Sequence, residues 1–194
     1  MVATKHTEKK ELRKTLLEKL LSLTKEELKR RSENVEKLLS GLPIYKEAKV
    51  VMAYYPLRGE VDVLGMMRKA HVQGKRFCFP VMDLEKKSLR VFEVKNFDED
   101  FSLGPFKVTQ PDTGKTREVD IKEIDMVIVP GLAFDYQKNR LGRGEGFYDR
   151  FLKRIKPPTK IVGIAFDFQI LSHLPTHHPF DEKVDIVVSE NFLI

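Results

Sequence analysis

Val50-Val51-Met52-Ala53-Tyr54-Tyr55 is an apolar run without a single charged residue. A strand with one wet face alternates apolar and polar side chains, whereas an unbroken run marks a strand covered on both faces, as in a parallel sheet. Pro56 stops the run. Val61 to Val72 then places Val63, Leu64, Met67 and Ala70 on one side at helical spacing, Gly74 closes the helix, and Phe77 to Met82 is a second apolar strand. Strand, helix and strand fit within about thirty residues, the size of a βαβ unit.

The same texture extends in both directions. Met126 to Val129 reads as a buried strand ended by Pro130. A long glycine-bearing loop follows, then a helix from Phe147 to Ile155, a strand from Lys160 to Ala165 and a last strand from Val184 to Val188. Ser88 to Gly114 reads as short peripheral strands and loops. Upstream, Leu12, Leu16 and Leu20 recur every four residues, with Leu17 and Leu21 widening the stripe. Thr24 and Glu27 form a capping box that opens a second helix with Leu28, Val35, Leu38, Leu39 and Leu42 on its apolar face, and Gly41 and Pro43 end it. The expected fold is α/β, with a mostly parallel sheet, helices on both faces and an N-terminal helical pair. The 194 residues suit one domain spanning 1–194.

Composition narrows the class. With 41% hydrophobic and 33% charged residues the chain is globular rather than disordered. Its one cysteine, Cys78, cannot form an internal disulfide and sits among apolar neighbours, so a core position and a reducing compartment are expected. No stretch approaches the ~18 apolar residues of a membrane span. Met1 to Lys14 alternates charge and lacks an apolar signal core, so a cytoplasmic location is expected. A net charge of +6, from 35 Lys+Arg against 29 Asp+Glu, favours anionic ligands. The basic residues are interspersed with acidic ones, which argues against a nucleic-acid partner. A small-molecule substrate, no membrane partner and a monomeric chain are expected.

Two segments bear on phosphate binding. Gly114-Lys115-Thr116 matches the tail of a P-loop, but Thr109 stands where the first glycine is required and Arg117-Glu118-Val119-Asp120 is a poor helix start, so a solvated turn is expected. Arg140-Leu141-Gly142-Arg143-Gly144-Glu145-Gly146-Phe147-Tyr148-Asp149-Arg150 has the spacing G-x-G-x-G, not the dinucleotide fingerprint. It lies between a buried strand and a helix, where ligands of open α/β sheets bind. A helix N-terminus offers free N–H groups, glycines let backbone approach a phosphate, and Arg140 and Arg143 add charged donors. The plain alternative is a flexible surface turn. In the first helix Lys9 and Arg13, four apart, share a face that an anion could bridge, or that water simply solvates. Glu60 and Asp62 follow the first strand, Asp149 begins the helix after the glycines, and Asp181 precedes the last strand; each taken alone reads as a surface charge. His177 and His178 are adjacent, hence point apart and make a poor metal pair.

Pro130-Gly131-Leu132-Ala133-Phe134-Asp135 followed by Arg140 to Asp149 resembles the 5-formyltetrahydrofolate cyclo-ligase (methenyltetrahydrofolate synthetase) family. The resemblance extends to Lys9-x-x-Leu12-Arg13, Gly59-Glu60-Val61-Asp62 and Asp181-x-Lys183-Val184-Asp185. It implies cyclisation of 5-formyltetrahydrofolate to 5,10-methenyltetrahydrofolate with ATP and Mg²⁺. It also implies that Lys9 and Arg13 reach the ATP phosphates and that Arg140, Leu141, Gly142, Arg143, Gly144, Glu145, Gly146, Phe147 and Tyr148 wrap the nucleotide. Tyr55, Glu60 and Arg143 to Phe147 are expected to face the folate, Arg143 to act as a catalytic charge donor, and Asp149 and Asp181 to hold the metal. Phe147 departs from the tyrosine common in relatives: a hydroxyl contact is lost and ring stacking is kept. Two other classes stay open on residues alone, a sugar-phosphate or CoA-ester binding protein of similar fold and an RNA-binding module.

Overall fold

The computed structural model describes residues 2–175 and 182–194. Three helices come first: α1 (Val2–Leu21), α2 (Lys25–Gly41) and α3 (Pro43–Glu47). The βαβ unit follows as β1 (Val50–Met52), α4 (Leu64–Val72) and β2 (Arg76–Asp83). Next come β3 (Ser88–Val94), β4 (Phe101–Leu103), β5 (Thr109–Pro111), β6 (Arg117–Glu118) and β7 (Met126–Pro130). After them lie β8 (Ala133–Asp135), β9 (Arg140–Leu141), α5 (Phe147–Leu152), β10 (Lys160–Ile164), β11 (Ile170–Leu171) and β12 (Ile186–Val188). The main sheet has the order β12-β10-β7-β1-β2-β3-β6, with β12, β10, β7, β1 and β2 parallel and β3 and β6 added antiparallel at one edge.

Alternation along the central strands builds two cores. Val51 faces α1, α2 and α4, packing with Leu16, Leu20, Val35, Leu39 and Met67. Its neighbours Val50 and Met52 face the opposite side, where they share a cluster with Phe151 and Leu152 of α5. Period-2 side-chain placement on strands covered twice is why the run at 50–52 carries no polar residue. The crossover from β1 through α4 to β2 runs one way along the sheet, and that from β7 through α5 to β10 runs the other. Right-handed crossovers in opposite directions put their helices on opposite faces, so the winding reverses between β1 and β7.

The capping box forms as expected: the Thr24 hydroxyl accepts from Glu27 N at 3.1 Å and the Glu27 carboxylate accepts from Thr24 N at 3.0 Å. Pro43 does more than end α2, because it also opens α3 from its first position. Val61 to Val63 is not helical. Asp62 Oδ1 caps Leu64 N at 3.0 Å, while Tyr54 Oη donates to Val61 O at 2.7 Å. The run from Val50 leaves the ladder after Ala53 N donates to Cys78 O at 2.8 Å, so Tyr54 and Tyr55 lie beyond the end of β1, beside a cleft. The segment from Gly131 to Gly146 is no plain loop but carries the hairpin β8–β9. Asp135 holds its turn by accepting from Gln137 N, Asn139 N, Asn139 Nδ2 and Leu174 N at 2.9–3.1 Å. Burial pushes its carboxyl up, but those donors outweigh burial and hold it below the ordinary value. The helix expected from Phe147 to Ile155 ends at Leu152, where Arg154 N and Ile155 N bond three residues back. Gly114-Lys115-Thr116 is a turn closed on Asp112 with no helix after it. Cys78 is fully buried, and burial pushes its thiol up. Among the described residues no helix is long and apolar enough to cross a membrane.

At the sheet edge Glu93, 8% exposed, accepts from Arg76 Nε at 2.8 Å and from Arg117 Nη2 at 2.9 Å. The two guanidiniums hold its carboxyl down to about 2 from 4.5. A depressed carboxyl stabilises the fold above its unfolded value and stops doing so as pH falls through the folded one. Glu93→Gln is therefore expected to lose about 1–3 kcal/mol at pH 7, allowing for the exposure of both arginines. The loss, measured by urea unfolding, should shrink as pH is lowered from 4.5 toward 2; a deficit that does not change with pH contradicts the assignment.

Candidate active site

The carboxyl ends of β1 and β7 open onto a cleft of about 370 Å³. Its first wall is the turn after β1. Glu60 N donates to Leu57 O at 2.9 Å and Glu60 Oε2 accepts from Leu57 N at 3.0 Å, so the turn folds over its own carboxylate. Gly59 has φ +85°, and a Cβ there would lie 2.7 Å from the Leu20 carbonyl of α1. Only glycine lets the turn press this close to the helix, and the contact fixes Glu60 at the cleft with 8% of its surface exposed. Burial raises the Tyr54 phenol well above its ordinary value and the Glu60 carboxylate adds to the shift, which leaves Tyr54 a neutral donor bonded to Val61 O.

The second wall is the glycine segment. Arg140 was expected among the nucleotide's charged donors, but its side chain is 3% exposed and points inward. Arg140 Nη2 donates to Asp149 Oδ1 at 2.6 Å, Nη1 donates to Pro130 O at 3.3 Å, and the guanidinium lies 5.4 Å from the Tyr148 ring centre. It ties the end of β7 to the first turn of α5 and so sets the position of everything between. Leu141 packs in the core, so its side chain supports the site from behind. Gly144 at φ +115° and Gly146 at φ +69° take conformations that side chains resist. Arg143, by contrast, is 38% exposed and reaches across to Glu60: Nε and Nη2 both donate to Oε1, at 3.2 and 2.9 Å.

Arg13 joins from α1 by donating Nε to Gly142 O at 3.0 Å, which brings the basic helix face onto the glycine loop. Lys9 lies one turn earlier and is half-buried. Tyr55, Glu60, Arg140, Gly142 to Phe147, Tyr148 and Asp149 thus meet in one place, with Arg13 beside them. Asp181 lies outside the described residues, as do His177 and His178. Among the described residues no three His, Cys, Asp or Glu side chains gather as a metal cluster. Asp149, held through Oδ1 by Arg140, lines the cleft together with Glu60 and Glu145. That donor set suits Mg²⁺, which takes one or two protein carboxylates and completes its shell from water and phosphate.

The third wall comes from the peripheral segment and carried no functional reading. The β4–β5 hairpin folds over the cleft through Phe106, Val108, Thr109 and Gln110. Gln110 Oε1 accepts from Met82 N at 3.2 Å, and Phe101 packs edge-on against Tyr55 at 4.9 Å and Phe79 at 5.0 Å. Phe106, 72% exposed at φ +55°, is an aromatic ring in the turn Gly104-Pro105-Phe106-Lys107, the one sequence signal that could have marked it.

Known proteins resemble this chain over nearly its full length. A family model for the 5-formyltetrahydrofolate cyclo-ligase family matches residues 5–190. The 5-formyltetrahydrofolate cyclo-ligase of Mus musculus is 30% identical, covering 97% of this chain and 96% of its own; that of Haemophilus influenzae is 28% identical over 94% and 99%. The solution structure of Aquifex aeolicus 5,10-methenyltetrahydrofolate synthetase superposes with a TM-score of 0.82 at 35% identity, covering 95% of this chain and 91% of that one. A Mycoplasma pneumoniae methenyltetrahydrofolate synthetase shares the fold at TM-score 0.76 and 22% identity. With the match spanning helices, sheet and all three walls of the cleft, the chain belongs to the 5-formyltetrahydrofolate cyclo-ligase family and is a ligase.

Proposed function

We propose that this enzyme closes 5-formyltetrahydrofolate to 5,10-methenyltetrahydrofolate, consuming ATP with Mg²⁺. The observation that carries the reading is the meeting of Glu60, Arg143 and the Arg13-backed glycine loop in one cleft at the reversal of the sheet.

The chemistry explains the residue set. The N5-formyl group is an amide, a poor electrophile, and N10 is a weakly nucleophilic arylamine. Transfer of the γ-phosphoryl group to the formyl oxygen releases ADP and turns that oxygen into part of a leaving group. N10 then attacks the formyl carbon, the carbon–oxygen bond breaks with its electrons leaving on phosphate, and the N10 proton departs with it. Phosphoryl transfer asks a protein mainly for position and charge neutralisation. Arg13 and Lys9 supply positive charge beside the glycine loop, whose backbone allows phosphate oxygens to come close. Glu60 can accept from two pterin donors at once, an N–H and an amino group. Tyr55 and Phe147 offer ring faces for the folate, and Arg143 offers a guanidinium to the oxygen that gains charge. A magnesium ion held by Asp149 would neutralise phosphate charge, with Asp181 as the second carboxylate. The absence of a tyrosine hydroxyl at Phe147 leaves stacking as that residue's contribution.

Methenyl product, followed by absorbance, should appear with ATP and Mg²⁺ together, with one ADP formed per ring closed, and Arg143→Ala should lower turnover about 10²–10³-fold. Product made without nucleotide, or a wild-type rate in the variant, rejects the mechanism. Lys9→Ala combined with Arg13→Ala should raise the KM for ATP far more than that for folate; equal effects would assign that face a structural role. Asp149→Ala would strand the buried Arg140 and cost about 3–5 kcal/mol of stability, so the informative change is Asp149→Asn, which keeps an acceptor for Nη2. It should raise the Mg²⁺ concentration for half-maximal rate while the thermal midpoint stays within a few degrees, and a parental Mg²⁺ dependence refutes the metal assignment.

A further inference from the structure

The Glu60–Arg143 pair joins the two groups that the proposed reaction needs for different substrates. Glu60 is the acceptor for the pterin edge, and Arg143 stands on the loop that meets the nucleotide. Without ligands they are committed to each other. A carboxylate has about four lone-pair sites, two per oxygen. Arg143 Nε and Nη2 both donate to Oε1 and fill it, while Leu57 N takes one site of Oε2. A pterin edge presents two parallel donors and needs one site on each oxygen. One remains on Oε2 and none on Oε1. Folate therefore cannot engage Glu60 through both oxygens until Arg143 yields at least one of its bonds.

We infer that the Glu60–Arg143 ion pair is a latch through which folate binding releases Arg143 to the nucleotide, so that the two substrates bind cooperatively. The inference rests on the folate and nucleotide reading of this cleft. The loop is built to let Arg143 go. Gly142 and Gly144 flank it, Gly144 takes φ +115°, and the guanidinium is 38% exposed while Glu60, its partner, stays 8% exposed on a turn clamped against α1. Arg13, bonded to Gly142 O, marks the neighbouring side of the same loop as the positive one, so a phosphate drawn there would meet the released guanidinium. The latch keeps Arg143 away from ATP when no folate is present to accept its phosphoryl group. Glu60 and Arg143 then act as positioning residues before they act on substrate.

The test is binding of each ligand alone and together, by calorimetry on the intact enzyme, with 5-formyltetrahydrofolate and with a non-hydrolysable ATP analogue plus Mg²⁺. In the wild type each ligand should tighten the other about tenfold, within the range of coupling between linked sites. Arg143→Ala should bind folate alone several-fold more tightly than wild type, because a competitor for Oε1 is gone. Glu60→Gln, which weakens the charge-assisted bonds to Arg143, should bind the nucleotide analogue alone several-fold more tightly. A residue that merely contributes contacts would move both affinities the other way. The latch is overturned if Arg143→Ala holds folate no better than wild type, or if folded Glu60→Gln holds nucleotide no better. Should Glu60→Gln fail to fold, the Arg143→Ala result decides, since that side chain lies on the exposed loop. Methenyl formation by the wild type, run in parallel, separates this outcome from failure of the functional reading: an active wild type whose variants gain no affinity for the single ligands removes the latch alone.

Discussion

The reversal of winding between β1 and β7 is the constraint on which the rest of the molecule depends. Adjacent parallel strands whose crossovers leave in opposite directions cannot both be covered by a helix at their carboxyl ends, so a crevice opens there. The turn after β1 must descend one side of it and the hairpin after β7 the other. Glu60 and Arg143 are 83 residues apart in sequence, yet they face each other because their strands are hydrogen-bonded neighbours. The helical pair at the N-terminus covers the face on which β1 turns outward, which is why α1 can press Leu20 against Gly59 and pass Arg13 to the glycine loop.

Positive charge is handled in two ways around this crevice. Arg140 is buried and donates to Asp149 and to Pro130 O within the protein, and its partner Asp149 keeps it from becoming an unpaired interior charge. Removing Asp149 would be costly because the Arg140 guanidinium could not be rehydrated without opening the core. Arg143, three residues on, is partly exposed and bonded to the carboxylate of Glu60 at the cleft. The first arginine behaves as scaffold and the second as a movable group, although the two look alike in sequence. Burial alone, 3% against 38%, separates their roles.

The parts of the fold visible in the sequence are those carried by periodicity and local chemistry. The first half of the run at 50–55, the Leu12, Leu16 and Leu20 stripe of α1, the apolar face of α2 and the Thr24–Glu27 box each depend on neighbours within a turn or a strand, and each formed where expected, while Leu21 at the end of the α1 stripe is exposed. The parts not visible depend on distant partners. Val61 and Asp62 are held out of the helix by Tyr54 Oη and Ser32 Oγ, from other elements. The hairpin between Ala133 and Leu141 is set by Asp135, whose four donors include Leu174 N far along the chain. The third wall of the cleft escaped notice because its residues are apolar or neutral; Phe106 and Gln110 acquire meaning only when β5 packs beside β2 and brings them over Tyr55 and Phe79.

Within the site itself the backbone was easier to read than the side chains. Three glycines announce where the chain must bend, since positive φ at Gly144 and Gly146 excludes most other residues, and the bend lies where the motif placed it. Which guanidinium turns in and which turns out is decided by partners: Pro130 O and Asp149 capture Arg140, whereas Glu60, fixed by a turn that α1 clamps, captures Arg143. A carboxylate preordered by Leu57 N and saturated on one oxygen is a site prepared for exchange. Its arginine is held by charge rather than by packing, so a ligand that brings its own pair of donors can take its place without disturbing the core behind it.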